Sequence, residues 1–366
     1  FDYHSIEANL LKLDILGHDD PTVIRMLQDL TGIAPTQVPL DDKETMSIFN
    51  STDALGVTPE QIHSQVGTFG IPEYGTKFAR GILLDIHPTT FDELIRLSGL
   101  SHGTDVWLGN AQTLIEQGIV TLQEAICCRD DIMIYLIKKG VPPDKSFKIM
   151  ETVRKGKALK DPAKWEEFKA IMKEHDVPDW YIKSCEKIKY MFPKAHAAAY
   201  VTNAFRIAWF KVHEPKAYYT AYFTIRADEF DSDIMCHGKE KVLNKMKEID
   251  LAGNNATTKD KNMYAILELV LEMYERGINF LPIDLYKSHS TKFIAEEDGI
   301  RPPLNSIPGL GTVAAESIVK AREEEPFMCI DDIRMRAKAG SSVIELLKTA
   351  GCLKGMPESN QMSLFA

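Results

Sequence analysis

The stretch that most constrains this chain is Asn305 to Arg322, in which Ile307-Pro308-Gly309-Leu310-Gly311-Thr312 leads into Val313-Ala314-Ala315-Glu316-Ser317-Ile318-Val319-Lys320. Two glycines flank one leucine. Glycine takes positive φ without strain and has no side chain, so Gly309 and Gly311 let backbone N–H groups come close to an anion. The helix that follows presents its N-terminus to the same place. Ile307 and Leu310 would pin the turn into a core. The pattern reads as a helix-hairpin-helix, with Pro308, Gly309, Leu310, Gly311, Thr312 and Lys320 expected to grip DNA phosphates. Backbone contacts of this kind depend on salt and not on base sequence. The bland alternative is an ordinary helix C-cap turn. Phe327 to Ile333 followed by Gly340 to Leu347 reads as a second, degenerate hairpin ending at Ala350-Gly351. It lacks the Gly-x-Gly, which predicts a structural role.

The rest of the chain is long enough to matter. Its 366 residues, 44% of them hydrophobic, can bury real cores, and size statistics suggest about two to four domains. No run of 18 or more apolar residues occurs and Phe1-Asp2-Tyr3-His4 does not read as a signal peptide, so the expectation is a cytoplasmic protein with no membrane partner. Cys127, Cys128, Cys185, Cys236, Cys329 and Cys352 lack metal-ligand spacing. They read as free thiols, and no zinc is expected. The net charge of -10 argues against a polyanion-binding surface overall, yet Arg129 to Lys160 holds nine Lys or Arg against four acids. By itself that is more often a solvated helix face than a phosphate site.

Along the chain, residues 9 to 16 alternate as a short strand with Leu11, Leu13 and Ile15 on one face and Lys12 and Asp14 on the other. Gly17 to Pro21 stops it, and a helix runs to about Leu30 with Asp19 and Asp20 as caps. The abrupt start suggests a piece of something longer. Helices are expected at 42–49, 76–84, 90–97, 105–117, 121–127, 131–138, 143–154, 162–175, 178–190, 195–211, 215–226, 239–249 and 263–276. Alternation at 278–286 predicts a strand, and Arg301-Pro302-Pro303 a linker. The fold class is mainly α with a few short β strands, in several domains. The chain closes on Gln361-Met362-Ser363-Leu364-Phe365, a polar hook with two apolar anchors on a flexible leash.

Four stretches taken together resemble bacterial replicative DNA polymerases of the polymerase III alpha class, with the PolC type the nearest likeness. They are Leu11 to Gly17, Ser98 to Trp107, Met191 to Tyr200, and the hairpin. The resemblance runs in order through essentially all of the chain. It implies the end of a palm sheet at 1–35, helical fingers at 36–290, a tandem helix-hairpin-helix duplex-binding domain at 300–355, and a clamp-binding tail at 356–366. Asp14 would then be the third palm aspartate, one ligand of a two-Mg2+ site, with Lys12 beside it as a second catalytic group. Two metals in such a site stabilise the attacking 3′-oxygen and the leaving pyrophosphate. Arg129, Arg154, Lys155, Lys157, Lys194, His196 and Tyr190 would receive the dNTP. Gln361, Met362, Ser363, Leu364 and Phe365 would bind a sliding clamp, and other replisome subunits are implied partners beside primer-template DNA. One carboxylate cannot complete a two-metal site, so the chain alone is expected to be inactive. Two alternatives compete: a helix-hairpin-helix DNA glycosylase using Asp331 or Asp332, which lie roughly twenty residues past the Gly-x-Gly, and a non-catalytic DNA-binding module.

Overall fold

The computed structural model describes residues 2, 5, 6, 9–11, 13 and 17–359. Half of the expected strand at 9–16, including Lys12 and Asp14, therefore lies outside the described residues, and Gln361 to Phe365 lies wholly outside them. Among the described residues the chain is mainly α, with eighteen α-helices and one two-stranded antiparallel sheet, Ile294–Glu296 against Gly299–Arg301. None of these helices is long and apolar enough to cross a membrane.

Local chemistry explains where many helices begin. Pro21, Pro143, Pro162 and Pro215 each sit in the first turn of a helix, where the missing N–H is not needed. Thr90 and Glu93 form a capping box at the start of Phe91–His102, and Thr257 with Asp260 does the same for Thr258–Glu275. At Asp20–Thr31 the expected acid caps do not form. Asp19 makes no side-chain cap bond, and the Asp20 side chain is fully buried.

Three other expectations fail for identifiable reasons. The helix foreseen at 105–117 is replaced by a kinked turn, Trp107–Ala111, and a short helix, Gln112–Glu116. There the buried Asn110 side-chain N–H donates to the carbonyl of Asp105 at 2.9 Å, and Gly109 is left-handed at φ 65°. The helix foreseen at 121–127 is absent because the Asp131 carboxylate captures the N–H groups of Cys127 (3.2 Å) and Cys128 (2.8 Å). Those bonds begin Arg129–Lys138 instead. The strand foreseen at 278–286 shrinks to one bridge between Phe280 and Ile300. Pro282, with no N–H to donate, stops the ladder.

The expected linker at Arg301 to Pro303 is buried. Arg301 binds the Glu296 carboxylate with two nitrogens and donates to the Pro282 carbonyl at 2.6 Å. Apolar packing forms two cores. One runs from Val23 to Ile300 and the other from Leu285 to Leu353, so the segment 280–300 contributes to both.

Inside the larger core lies a charged pair with no exposure. Lys211 donates to the carbonyls of Gly67 (2.8 Å) and Phe69 (2.7 Å) and to Glu272 (2.9 Å). Glu272 also accepts from the Tyr219 hydroxyl at 2.6 Å. Burial pulls the Lys211 ammonium down to about 8, against the opposing pull of Glu272. The network joins Lys194–His213, Pro215–Arg226 and Thr258–Glu275 to the loop at 67–69, and Arg276 closes it by donating to the Lys211 carbonyl.

Candidate functional site

Four backbone segments converge beside the N-terminus of Lys194–His213. The first is the end of Phe91–His102. Gly99 there lies so close to the next segment that a Cβ would stand 2.5 Å from the Cys128 Sγ and 2.6 Å from the Cys127 carbonyl. The second is 127–130, where Arg129 donates its N–H to the Phe192 carbonyl (3.1 Å) and Asp130 accepts the N–H of Lys194 (2.7 Å). The third is 154–156, where the Arg154 carbonyl accepts from Met191 (3.3 Å). The fourth is 189–194, bridged to Thr104 by N–H bonds from Thr104 to Tyr190 (2.9 Å) and from Lys189 to Thr104 (3.0 Å).

This junction brings Arg129, Arg154, Tyr190, Lys194 and His196 into one neighbourhood, with Lys155 and Lys157 on the adjoining turn. Tyr190 and His196 are exposed, as are Lys155 and Lys157. The basic run is less positive than its sequence. Arg154 chelates Glu151 with two nitrogens and Lys155 reaches the same carboxylate at 2.9 Å. The hydrogen bonds from Arg154, more than any other cause, drive the Glu151 carboxyl down to about 2. Lys194 stands 3.6 Å from Asp131 and 3.8 Å from Asp92, and Arg129 3.8 Å from Asp130. A phosphate arriving here would compete with carboxylates already in place.

A continuous line of rings crosses the junction. His102 stacks on Phe192 (4.9 Å between centroids), Phe192 meets His196 (5.0 Å), His196 meets Tyr200 (4.4 Å), and Tyr200 meets His18 (4.9 Å). His102 is held at both ring nitrogens, by Glu73 at 3.0 Å and the Ser98 carbonyl at 2.9 Å. The sequence pointed to His196 as a site residue but not to its place in this row with His102, Phe192, Tyr200 and His18, nor to Glu73 as the group that holds His102. The His196–Tyr200 spacing of four, one turn of a helix, was the available signal.

The hairpin has the expected build with one correction. Gly309 is left-handed at φ 86°, but Gly311 is extended at φ -70° and serves as the N-cap of Thr312–Glu324. Its value is bareness, since a Cβ there would meet nothing within 4 Å. Ile307 and Leu310 are buried, Pro308 is half-buried, and Gly309, Thr312 and Lys320 are exposed. The first bond into the helix runs from Ala315 to the Gly311 carbonyl at 3.1 Å. The amides of Thr312, Val313 and Ala314 thus have no acceptor within the helix.

The second hairpin is less degenerate in shape than in sequence. Lys338 is left-handed at φ 52°, Ala339 is buried, and Gly340 is an extended N-cap at φ -67° for Ser341–Thr349, with open space around its Cα. Lys338-Ala339-Gly340 therefore repeats the geometry of Gly309-Leu310-Gly311. Asp331 and Asp332 start the helix Ile330–Arg336 and are occupied by Arg334 (2.8 Å) and Arg336 (3.2 Å). That is a structural use and not the free carboxylate a glycosylase needs. Among the described residues no group of three or more His, Cys, Asp or Glu is placed to hold a metal ion.

Residues 20–176 match the family described as the bacterial DNA polymerase III alpha subunit finger domain, and residues 277–363 match the helix-hairpin-helix motif. Arg129, Arg154, Lys155 and Lys157 fall inside the finger match, whereas Tyr190, Lys194 and His196 lie beyond it. Over 365 residues, all of the chain, the sequence is 59% identical to a DNA polymerase III PolC-type of Caldanaerobacter subterraneus subsp. tengcongensis. It is 58% identical to that of Clostridium perfringens and 59% to that of Bacillus subtilis, again over the whole chain. It covers 26%, 25% and 25% of these relatives, so the chain spans about a quarter of their length.

Proposed function

Because this chain is similar along its whole length to PolC-type DNA polymerase III relatives, we propose that it belongs to that family and works within a replicative DNA-directed DNA polymerase of the bacterial cytoplasm, adding dNTPs to a primer 3′ end on a template. In this reading the four-segment junction is the surface that receives the nucleotide, and its convergence is the observation that carries the proposal. Arg129, Arg154, Lys155, Lys157 and Lys194 supply cationic donors for the triphosphate. His196, Tyr200 and Tyr190 offer ring faces and edges to base or sugar. Arginine suits the triphosphate because its planar fork pairs with two oxygens at once. Asp14, with Lys12 beside it, is proposed as one of the carboxylates that hold two Mg2+ ions, and those ions when bound would offset charge on the attacking and leaving oxygens. The tail Gln361 to Phe365 is proposed as the sliding-clamp peptide, and the chain's other partners as replisome subunits.

The test uses the full-length polymerase. Arg154→Ala and Lys194→Ala should each raise the dNTP KM by roughly ten- to hundredfold, the loss of one charge-assisted hydrogen bond or two. Unaltered KM and kcat in both variants would remove the nucleotide from this junction.

Both hairpins are proposed to hold duplex DNA through phosphates, one through Gly309 to Thr312 and the other through Lys338 to Ser341. Gly311 makes a clean probe, because the surrounding space is open and its φ is one that any residue adopts. Gly311→Val should leave the melting temperature nearly unchanged yet weaken duplex binding about tenfold, equally across sequences. Altered sequence preference, or unaltered affinity, would contradict the assignment. The non-catalytic alternative predicts duplex binding with no nucleotide binding at the junction.

A further inference from the structure

Asp20 is a fully buried carboxylate that none of the roles above uses. It opens the helix Asp20–Thr31, which packs against both Lys194–His213 and Pro215–Arg226. Two nitrogen groups face it. His18 Nδ1 stands 3.3 Å from one oxygen and Arg226 Nη1 3.3 Å from the other, yet neither oxygen receives a hydrogen bond. Leaving a buried carboxylate without hydrogen bonds is expensive unless charged partners compensate. Burial accordingly raises the Asp20 carboxyl above its usual range, with Arg226 and His18 pulling the other way. An uncharged, well-packed side chain would serve stability better. With a histidine nitrogen at one oxygen and an arginine nitrogen at the other, the group is not arranged as a metal ligand either.

What distinguishes Asp20 is where its partners lead. The His18 ring lies 4.9 Å from Tyr200, and Tyr200 lies 4.4 Å from His196. Arg226 is the last residue of Pro215–Arg226 and is 29% exposed. One carboxylate thus ties three things: the segment that enters the helix at His18, the end of a core helix, and the row of rings on the nucleotide-receiving surface.

We propose that Asp20 is a positioning residue for nucleotide binding, which holds His18 against Tyr200 and anchors both to Arg226, and so sets the angle at which the Tyr200–His196 end of the ring row meets the incoming nucleotide. The inference rests on the reading of the junction as the nucleotide surface. Asp20 touches no substrate. Its effect passes through His18 and Tyr200, and it should appear in nucleotide binding more than in the chemical step.

The experiment compares Asp20→Asn, His18→Phe, His18→Ala and Tyr200→Ala in the full-length polymerase, reading dNTP KM, kcat, primer-template affinity and melting temperature. Asp20→Asn and His18→Ala should raise the dNTP KM about tenfold while kcat changes less than about threefold and DNA affinity holds. His18→Phe, which keeps a ring beside Tyr200 but loses the nitrogen that faces Asp20, should raise KM nearly as much as His18→Ala, and full recovery in it would overturn the role of Asp20. A purely structural role would lower the melting temperature of Asp20→Asn and leave KM alone, and that result overturns the proposal. Should Asp20→Asn fail to fold, the two His18 variants decide, since His18 is 37% exposed. If Tyr200→Ala raises KM and neither His18→Ala nor Asp20→Asn does, the positioning role alone is wrong. If Tyr200→Ala also leaves KM unchanged, the nucleotide surface itself lies elsewhere.

Discussion

Gly156→Ala is expected to destabilise the protein by roughly 2–4 kcal/mol and to raise the dNTP KM more than any single removal of a basic side chain. Two costs add. Gly156 is left-handed at φ 62°, where an L side chain is strained, and its Cβ would stand 2.5 Å from the Lys189 carbonyl oxygen and 2.8 Å from the Lys189 Cα. Both obstacles are backbone, so no rotamer change relieves them. The turn after Pro143–Arg154 and the segment leading to Lys194 would have to part, and the other contacts between these segments would loosen with them. Thermal melting reads the first effect and steady-state kinetics the second. A variant that melts within about 2 °C of the parent would show that the junction is not as tight as this geometry requires. Gly311→Val is the natural control, because it adds a larger side chain at a glycine with neither cost.

Lys211→Met should be comparably damaging for a different reason. Removing one member of a buried pair leaves the other charge unpaired, a loss of about 3–5 kcal/mol. Here the stranded group would be Glu272, with only the Tyr219 hydroxyl left on it. For a chain of this size the melting temperature should fall by on the order of 10 °C. Lys211→Met combined with Glu272→Gln should recover roughly half of that, since the unpaired charge is gone while two carbonyls, of Gly67 and Phe69, still lack their donor. A loss below about 1 kcal/mol in the single variant would refute the account. Lys211 sits 17 residues along the helix from Lys194, about 25 Å at helical rise, so the damage should be to stability first and to nucleotide KM only secondarily.

How much of this could be read beforehand follows from the range of the interactions. Pro143, Pro162 and Pro215 announced their helices because proline acts within its own turn, and Gly309 to Thr312 announced a hairpin because its requirement is local backbone geometry. The failures at 105–117 and 121–127 came from side chains acting on distant or competing backbone, Asn110 on the Asp105 and Ser184 carbonyls and Asp131 on two cysteine N–H groups. Nothing in their immediate sequence separates them from ordinary helix residues. The basic run at 129–160 was visible, but its partial neutralisation by Glu151 was not, because the pairing depends on rotamers. The row from His102 to His18 joins parts of the chain almost two hundred residues apart. No periodicity reports such a contact.

The two hairpins reach one backbone shape by different residues, and the difference has a consequence for how each would hold a polyanion. Gly309 adopts its left-handed turn at no cost, whereas Lys338 pays about 1 kcal/mol to stand in the equivalent conformation. The first turn therefore offers bare amides, which displace few condensed counterions when a phosphate docks. The second adds a mobile ammonium, which displaces about one. A single duplex held by both would be gripped by two contacts that weaken to different degrees as ionic strength rises, the one with the added ammonium more steeply.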